Sequence, residues 1–265
     1  MVGGNRNASE LLFEEYLTVQ GYTQWSHEPP FEGKRRRPDY FLEYGGSAFA
    51  FEVKEFETSS PGAGFGYYDP YEPIRKKVSK AVQQFKEYKE YPCSLVLANP
   101  KCVPLINLSD PWTLFGAMFG NVGFRFPVGS AASVNKPIER TFTTGGRMVD
   151  KHHQPENTTV NSIIFLGLYP LRAKYVDLAV RRRRQVLDRD VTTNEILECY
   201  EEIPDDPQLR RPRVKVYENP YARIPLSRDL FNGAYDERWL VDGEVIKRVY
   251  AGSEVARFED ALGES

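Results

Sequence analysis

The sequence predicts an α/β fold, and three observations carry that expectation. Strand-like runs with a two-residue period alternate with helical runs whose apolar residues recur every three or four positions. The order along the first hundred residues is helix, strand, strand, strand, helix, strand. The last of these, CSLVLA at 93–98, is almost continuously apolar, as expected of a strand covered on both faces.

The first helix is expected over ASELLFEEYLTVQGY. Asn7 or Ser9 stands near its start, Leu12, Phe13, Tyr16 and Leu17 form its apolar face, and Gly21 closes it. A short strand is expected around Tyr22 to Ser26, followed by the polar connection EPPFEGKRR. DYFLEY and SAFAFEVKEF are then two strands joined by Gly45-Gly46, a pair suited to a tight hairpin turn. In the loop SSPGAGFGYYDP, Gly62, Gly64 and Gly66 lack the strand-to-helix setting of a dinucleotide site and are read as a flexible loop over the site. YEPIRKKVSKAVQQFKEYKEY is a helix with a buried stripe of Ile74, Val78, Ala81, Phe85 and Tyr88, stopped by Pro92.

Residues 1–98 are thus expected to form the core. From 99 to 160 the composition shifts to Pro, Gly, Ser, Thr and Asn among aromatics, as in PWTLFGAMFGNVGFRFPVG, which reads as an insertion or subdomain. Trp112, Phe115, Phe119 and Phe126 are candidates to stack on bases, to pack against a second chain in a homodimer or partner complex, or to fill a core of their own. Residues 161–265 are expected to supply a remaining strand (TTVNSIIFLGL), a helix (YVDLAVRRRRQVL), a final short strand (RVKVYEN) and an irregular extension from Pro220 onward.

With 265 residues and 41% hydrophobic content the chain can fill a real core. Its longest apolar stretch, IIFLGLYPL, is far short of the ~20 residues that cross a bilayer, so a soluble, cytoplasmic protein with no membrane partner is expected. Three cysteines without a CxxC pair argue against a disulfide framework or a structural zinc site. A net charge of -2 leaves phosphate binding to local basic runs. Such runs occur at 34–37, 75–77, 181–184 and 210–215, each read singly as solvated surface. His152-His153 lie in a polar loop and are read as solvated.

Chemistry concentrates at residues 38–54. On the strand SAFAFEVKEF, Phe49, Phe51 and Val53 share one face, while Ala50, Glu52 and Lys54 share the other, where Ala48 and Ala50 leave room. Asp39 on the partner strand can converge on Glu52. Two carboxylates at one point repel, and a hard divalent cation resolves the repulsion. Lys54 beside them could bear on a phosphate or an activated water, which is the apparatus of phosphodiester hydrolysis.

Pro38-Asp39, twelve intervening residues and Glu52-Val53-Lys54 resemble the PD-(D/E)xK nuclease superfamily, and the element order over residues 9–98 is similar to its restriction endonuclease-like core. Glu10 occupies the place of the first-helix acid in Mrr-type restriction nucleases, with Glu14 as its rival. Gln84 and Tyr88 in QFKEY have the spacing of the QxxxY motif of the RecB-like branch. The resemblance implies a metal-dependent nuclease acting most readily on DNA, with a place in defence against foreign DNA. It implies Mg2+, or Mn2+ in its stead, held by Asp39, Glu52 and the Val53 carbonyl. Lys54 would position or activate the attacking water, Glu10 would complete or orient the metal shell, and Lys77, Lys80 and Gln84 would contact the phosphate backbone. The alternative is a nuclease-like fold without catalysis that binds nucleic acid or regulates a partner.

Overall fold

Asn7 starts the first helix by accepting hydrogen bonds from the Ser9 and Glu10 amides at 3.0 and 2.9 Å, while the Glu10 carboxylate accepts from the Asn7 amide at 2.8 Å. This capping box fixes α1 at Ala8–Val19, and Gly21, at φ +78°, turns the chain out of it. A computed structural model describes residues 6–31, 33–56, 69–100, 107–125, 139–206, 209–243 and 245–263. The glycine loop at 62–66 and Phe126 lie outside them.

After α1 come β1 (Trp25–His27), β2 (Tyr40–Tyr44), β3 (Ser47–Glu55), α2 (Glu72–Gln84, prolonged by a 3-10 turn to Glu87) and β4 (Cys93–Ala98). The expected order holds. The three strands β1, β2 and β3 run antiparallel, and β4 lies parallel to β3. The stripe Ile74, Val78, Ala81, Phe85 and Tyr88 is fully buried. Every residue of β4 is buried, because α1 covers one face of the sheet and α2 the other.

The remaining elements are α3 (Pro111–Phe119), β5 (Gly120–Arg125), β6 (Glu139–Gly145), β7 (Val160–Pro170), α4 (Leu171–Leu187), α5 (Thr193–Glu202), β8 (Arg210–Glu218), β9 (Glu237–Asp242), β10 (Val245–Ala251) and α6 (Ser253–Leu262). Among the described residues one mixed sheet of eight strands runs β1-β2-β3-β4-β7-β8-β9-β10, and β5 and β6 pair separately.

Three expectations change. The extension beyond Pro220 is not irregular: β9 and β10 extend the sheet around a turn at Asp242-Gly243, where Gly243 has φ +63°, and α6 buries Val255, Phe258 and Leu262. Helix α5, not expected, starts on a second capping box between Thr192 and Glu195. Within 99–160, α3 packs into the main core rather than forming its own. Phe115 meets Tyr217 of β8 edge to face at 5.5 Å, and Leu114, Met118 and Phe119 join the cluster that holds Ile74 and Val78. Phe115 and Phe119 are therefore unavailable to stack on a base. Trp112 is half-buried, with the Arg140 guanidinium 4.9 Å from its ring.

Candidate active site

The site forms where β2 and β3 stop pairing. Tyr40 stands opposite Phe51, so continuing the register sets Asp39 opposite Glu52 and Pro38 opposite Val53. Proline has no N–H and ends the ladder. The Val53 amide donates instead to Asp39 Oδ2 at 2.8 Å, while the Asp39 carbonyl accepts from the Glu28 amide at 2.9 Å. Both backbone and carboxylate of Asp39 are thereby fixed.

Lys54 Nζ lies 3.2 Å from Asp39 Oδ2 and 2.5 Å from Glu52 Oε1. The side chains of Glu52, Asp39 and Lys54 are 6%, 16% and 29% exposed, so the cluster opens to solvent on its lysine side. Glu52 Oε2 is buried and has no hydrogen-bond partner. Burial, followed by the charge of Asp39, pushes the Glu52 carboxyl up to about 7, against the pull of Lys54 in the other direction. Burial by itself would lower the Lys54 ammonium, but the charges of Asp39 and Glu52 outweigh it and hold the group above its usual value. With both carboxyls ionised the trio carries an uncompensated negative charge in a half-buried place. An orphaned carboxylate oxygen beside a second carboxylate fits a hard divalent cation.

The structure brings together Asp39, Glu52, Val53 and Lys54. It does not bring Glu10 to them: its carboxylate is engaged in the α1 capping box, and no group of three or more His, Cys, Asp or Glu side chains suited to a metal occurs among the described residues. Glu14 accepts from the buried Tyr40 hydroxyl at 2.9 Å and pairs with Arg6. Lys77 is half-buried with Nζ 4.9 Å from the Phe56 ring, and Lys80 is exposed. Gln84 Nε2 donates to the Arg37 carbonyl and the Tyr88 hydroxyl to the Arg36 carbonyl, so both hold the chain leading into Pro38-Asp39. Sequence reasoning gave no role to Tyr40; its position next to Asp39, on a face that meets α1, was the available signal.

Clefts of about 260, 530 and 410 Å³ lie elsewhere, lined in turn by residues such as Phe119 and Tyr221, Leu12 and Leu166, and Arg172 and Tyr200. None of the three is lined by Asp39, Glu52 or Lys54. No helix among the described residues is long and apolar enough to cross a membrane. Compared with family models, curated proteins and solved structures, the chain matches none.

Proposed function

We propose that the protein is a metal-dependent nuclease that hydrolyses phosphodiester bonds in DNA, with the Asp39–Glu52–Lys54 cluster as its active site. The observation that carries the reading is the buried, unpartnered Glu52 Oε2 beside Asp39, with an ammonium between the two carboxylates. The order of α1, three antiparallel strands, α2 and a parallel β4 supports the resemblance to the restriction endonuclease-like core.

Asp39 and Glu52 would hold Mg2+ or Mn2+ with the Val53 carbonyl. When bound, the ion supplies neutralising charge and a water acidic enough to attack phosphorus. Asp39 contributes a carboxylate already oriented by the Val53 amide. Glu52 contributes the oxygen that lacks any other partner. Lys54, whose ammonium lies at both carboxylates, would present it to the attacking water or to the charge that develops on the phosphate.

One observation favours the non-catalytic alternative. Lys54 already bridges both carboxylates, and a closed ion pair of this kind can serve structure alone. Cleavage of supercoiled plasmid and single-stranded DNA separates the two readings. Products are expected with Mg2+ and none with EDTA or in Asp39→Ala; a protein that binds DNA but never cuts it belongs to the alternative.

A further inference from the structure

Three consecutive arginines precede Pro38-Asp39, and the structure holds their backbone while leaving their side chains in solvent. The Arg35 amide donates to Glu87 Oε2 at 2.8 Å, the Arg36 carbonyl accepts from the Tyr88 hydroxyl, and the Arg37 carbonyl accepts from Gln84 Nε2. All three anchors come from one turn at the end of α2. Just before them Lys34 sets its ammonium 4.3 Å from the Tyr88 ring and pairs with Glu90, and Phe31 packs on Phe41 and Tyr88 at 5.0 and 5.2 Å. Just after them Pro38 is buried and Asp39 is fixed.

Arg35, Arg36 and Arg37 are exposed, and no carboxylate among the described residues pairs with any of their guanidiniums. Some other surface arginines find acids, as Arg183 does with Glu198 and Glu202, Arg189 with Glu195, and Arg248 with Glu259, while Arg181, Arg182, Arg211, Arg223 and Arg228 also lack a paired carboxylate among the described residues; the backbone anchors are what set residues 35–37 apart. A flexible basic run would lose side-chain and backbone freedom on binding a polyanion. Here the backbone part of that ordering is already made. Consecutive Cα atoms are ~3.8 Å apart, so Arg37 lies no more than about 7.6 Å from Asp39 by Cα, within reach of phosphates flanking the one at the cluster.

We propose that the Arg35–Arg37 arm, pinned by Gln84, Glu87 and Tyr88, grips the phosphate backbone of a nucleic-acid strand beside the Asp39–Glu52–Lys54 cluster. The inference rests on the nuclease reading for the identity of the polyanion. It gives Gln84 and Tyr88 a positioning role: they aim the arm and do not themselves touch phosphate.

The test is fluorescence anisotropy of a labelled 20-nucleotide single strand and a 20-base-pair duplex, in EDTA, across a salt series. Each phosphate neutralised contributes a slope of about 0.9 in log K against log salt on duplex and about 0.7 on single strands. The triple variant R35Q/R36Q/R37Q is expected to bind at least tenfold more weakly at low salt, with the duplex slope reduced by about 2 to 3. R35K/R36K/R37K keeps the slope, since each lysine remains a point charge. Tyr88→Phe leaves the ring and all charges in place, so it should weaken binding several-fold with the slope unchanged.

An unaltered slope in the glutamine variant overturns the arm as a phosphate contact, and an unaltered affinity in Tyr88→Phe overturns the pinning. Arm-dependent binding to vesicles of anionic lipid with none to DNA would also overturn it. A wild-type protein that binds DNA through the arm yet never cleaves would sink the nuclease reading and leave this one standing.

Discussion

Replacing Glu52 by glutamine should flatten the dependence of folding stability on pH, because the native state holds a proton on this carboxyl far more tightly than the unfolded chain does. Its value rises from 4.5 to about 7 on folding. A group moved by that much carries on the order of 3 kcal/mol of proton-linked free energy. The sign follows from proton counts. Between these two values the native state binds more protons than the unfolded one, so stability falls as pH rises through the window and levels off above about 7. Roughly 2 to 3 kcal/mol should be lost between pH 5 and pH 8. Glutamine keeps the shape and hydrogen-bonding reach of the neutral acid but cannot ionise. Urea unfolding in EDTA should therefore show wild type and Glu52→Gln close together at pH 5, with the variant more stable by about 1 to 3 kcal/mol at pH 8. Parallel pH profiles for the two proteins would refute the argument that burial holds this carboxyl up. Millimolar Mg2+ at pH 8 should stabilise wild type and leave Glu52→Gln nearly unmoved, since an ion that binds only the native state adds to its stability by mass action.

Cleavage, where measured, should require Mg2+ or Mn2+ and stop in Ca2+, whose looser coordination does not organise the attack; full turnover in EDTA would remove the mechanism. Lys54→Ala should abolish cleavage while DNA binding stays within a few fold, read by gel assay and anisotropy together. Glu14→Ala should destabilise the fold by about 1 to 3 kcal/mol by leaving the Tyr40 hydroxyl only the longer contact to the Glu10 carbonyl at 3.4 Å, whereas Glu14→Gln, which can still accept, should be far milder in thermal melts. Phe115→Ala should cost about 3 to 5 kcal/mol in denaturant unfolding, since α3 belongs to the main core; a loss under 1 kcal/mol would mark the segment as dispensable.

Local signals made the first hundred residues legible. The spacing of Ile74, Val78, Ala81, Phe85 and Tyr88, the apolar run of β4 and the Gly45-Gly46 turn are each complete within a few residues, and α2, β4 and the hairpin stand where the pattern puts them. Alternation along β3 also gave the faces of Glu52 and Lys54. What the pattern lacked was anything decided across the chain. Glu52 proves buried, with one carboxylate oxygen left without a partner, which alternation along one strand does not reveal. Gln84, read as a phosphate contact from its spacing to Tyr88, meets a backbone carbonyl 47 residues earlier. Strand β9 buries the charged Glu237 and Arg238 while β10 exposes Val245 and Val249, so their alternation is faint. The Asp-Gly between them was the usable sign.

The Tyr16 hydroxyl donates to the buried Asp236 carboxylate at 2.6 Å, and Phe231 packs its ring against Tyr16, Tyr22 and Phe51. The first helix therefore finishes its seat against residues near the far end of the chain. On the ribosome, the segment with Asp39, Glu52 and Lys54 is made early and Phe13 can pack on Tyr40 and Phe51, but Tyr16 lacks its Asp236 acceptor until residue 236 is added. At ~5–20 residues per second, that interval after residue 98 lasts roughly 7 to 28 s. During it Tyr16 and Phe51 lack the cover that Phe231 gives them in the native fold. The nascent chain thus depends on its tail to complete the scaffold around these residues, and a product cut short before the Tyr16–Asp236 contact would carry the entire cluster without a finished frame to hold it.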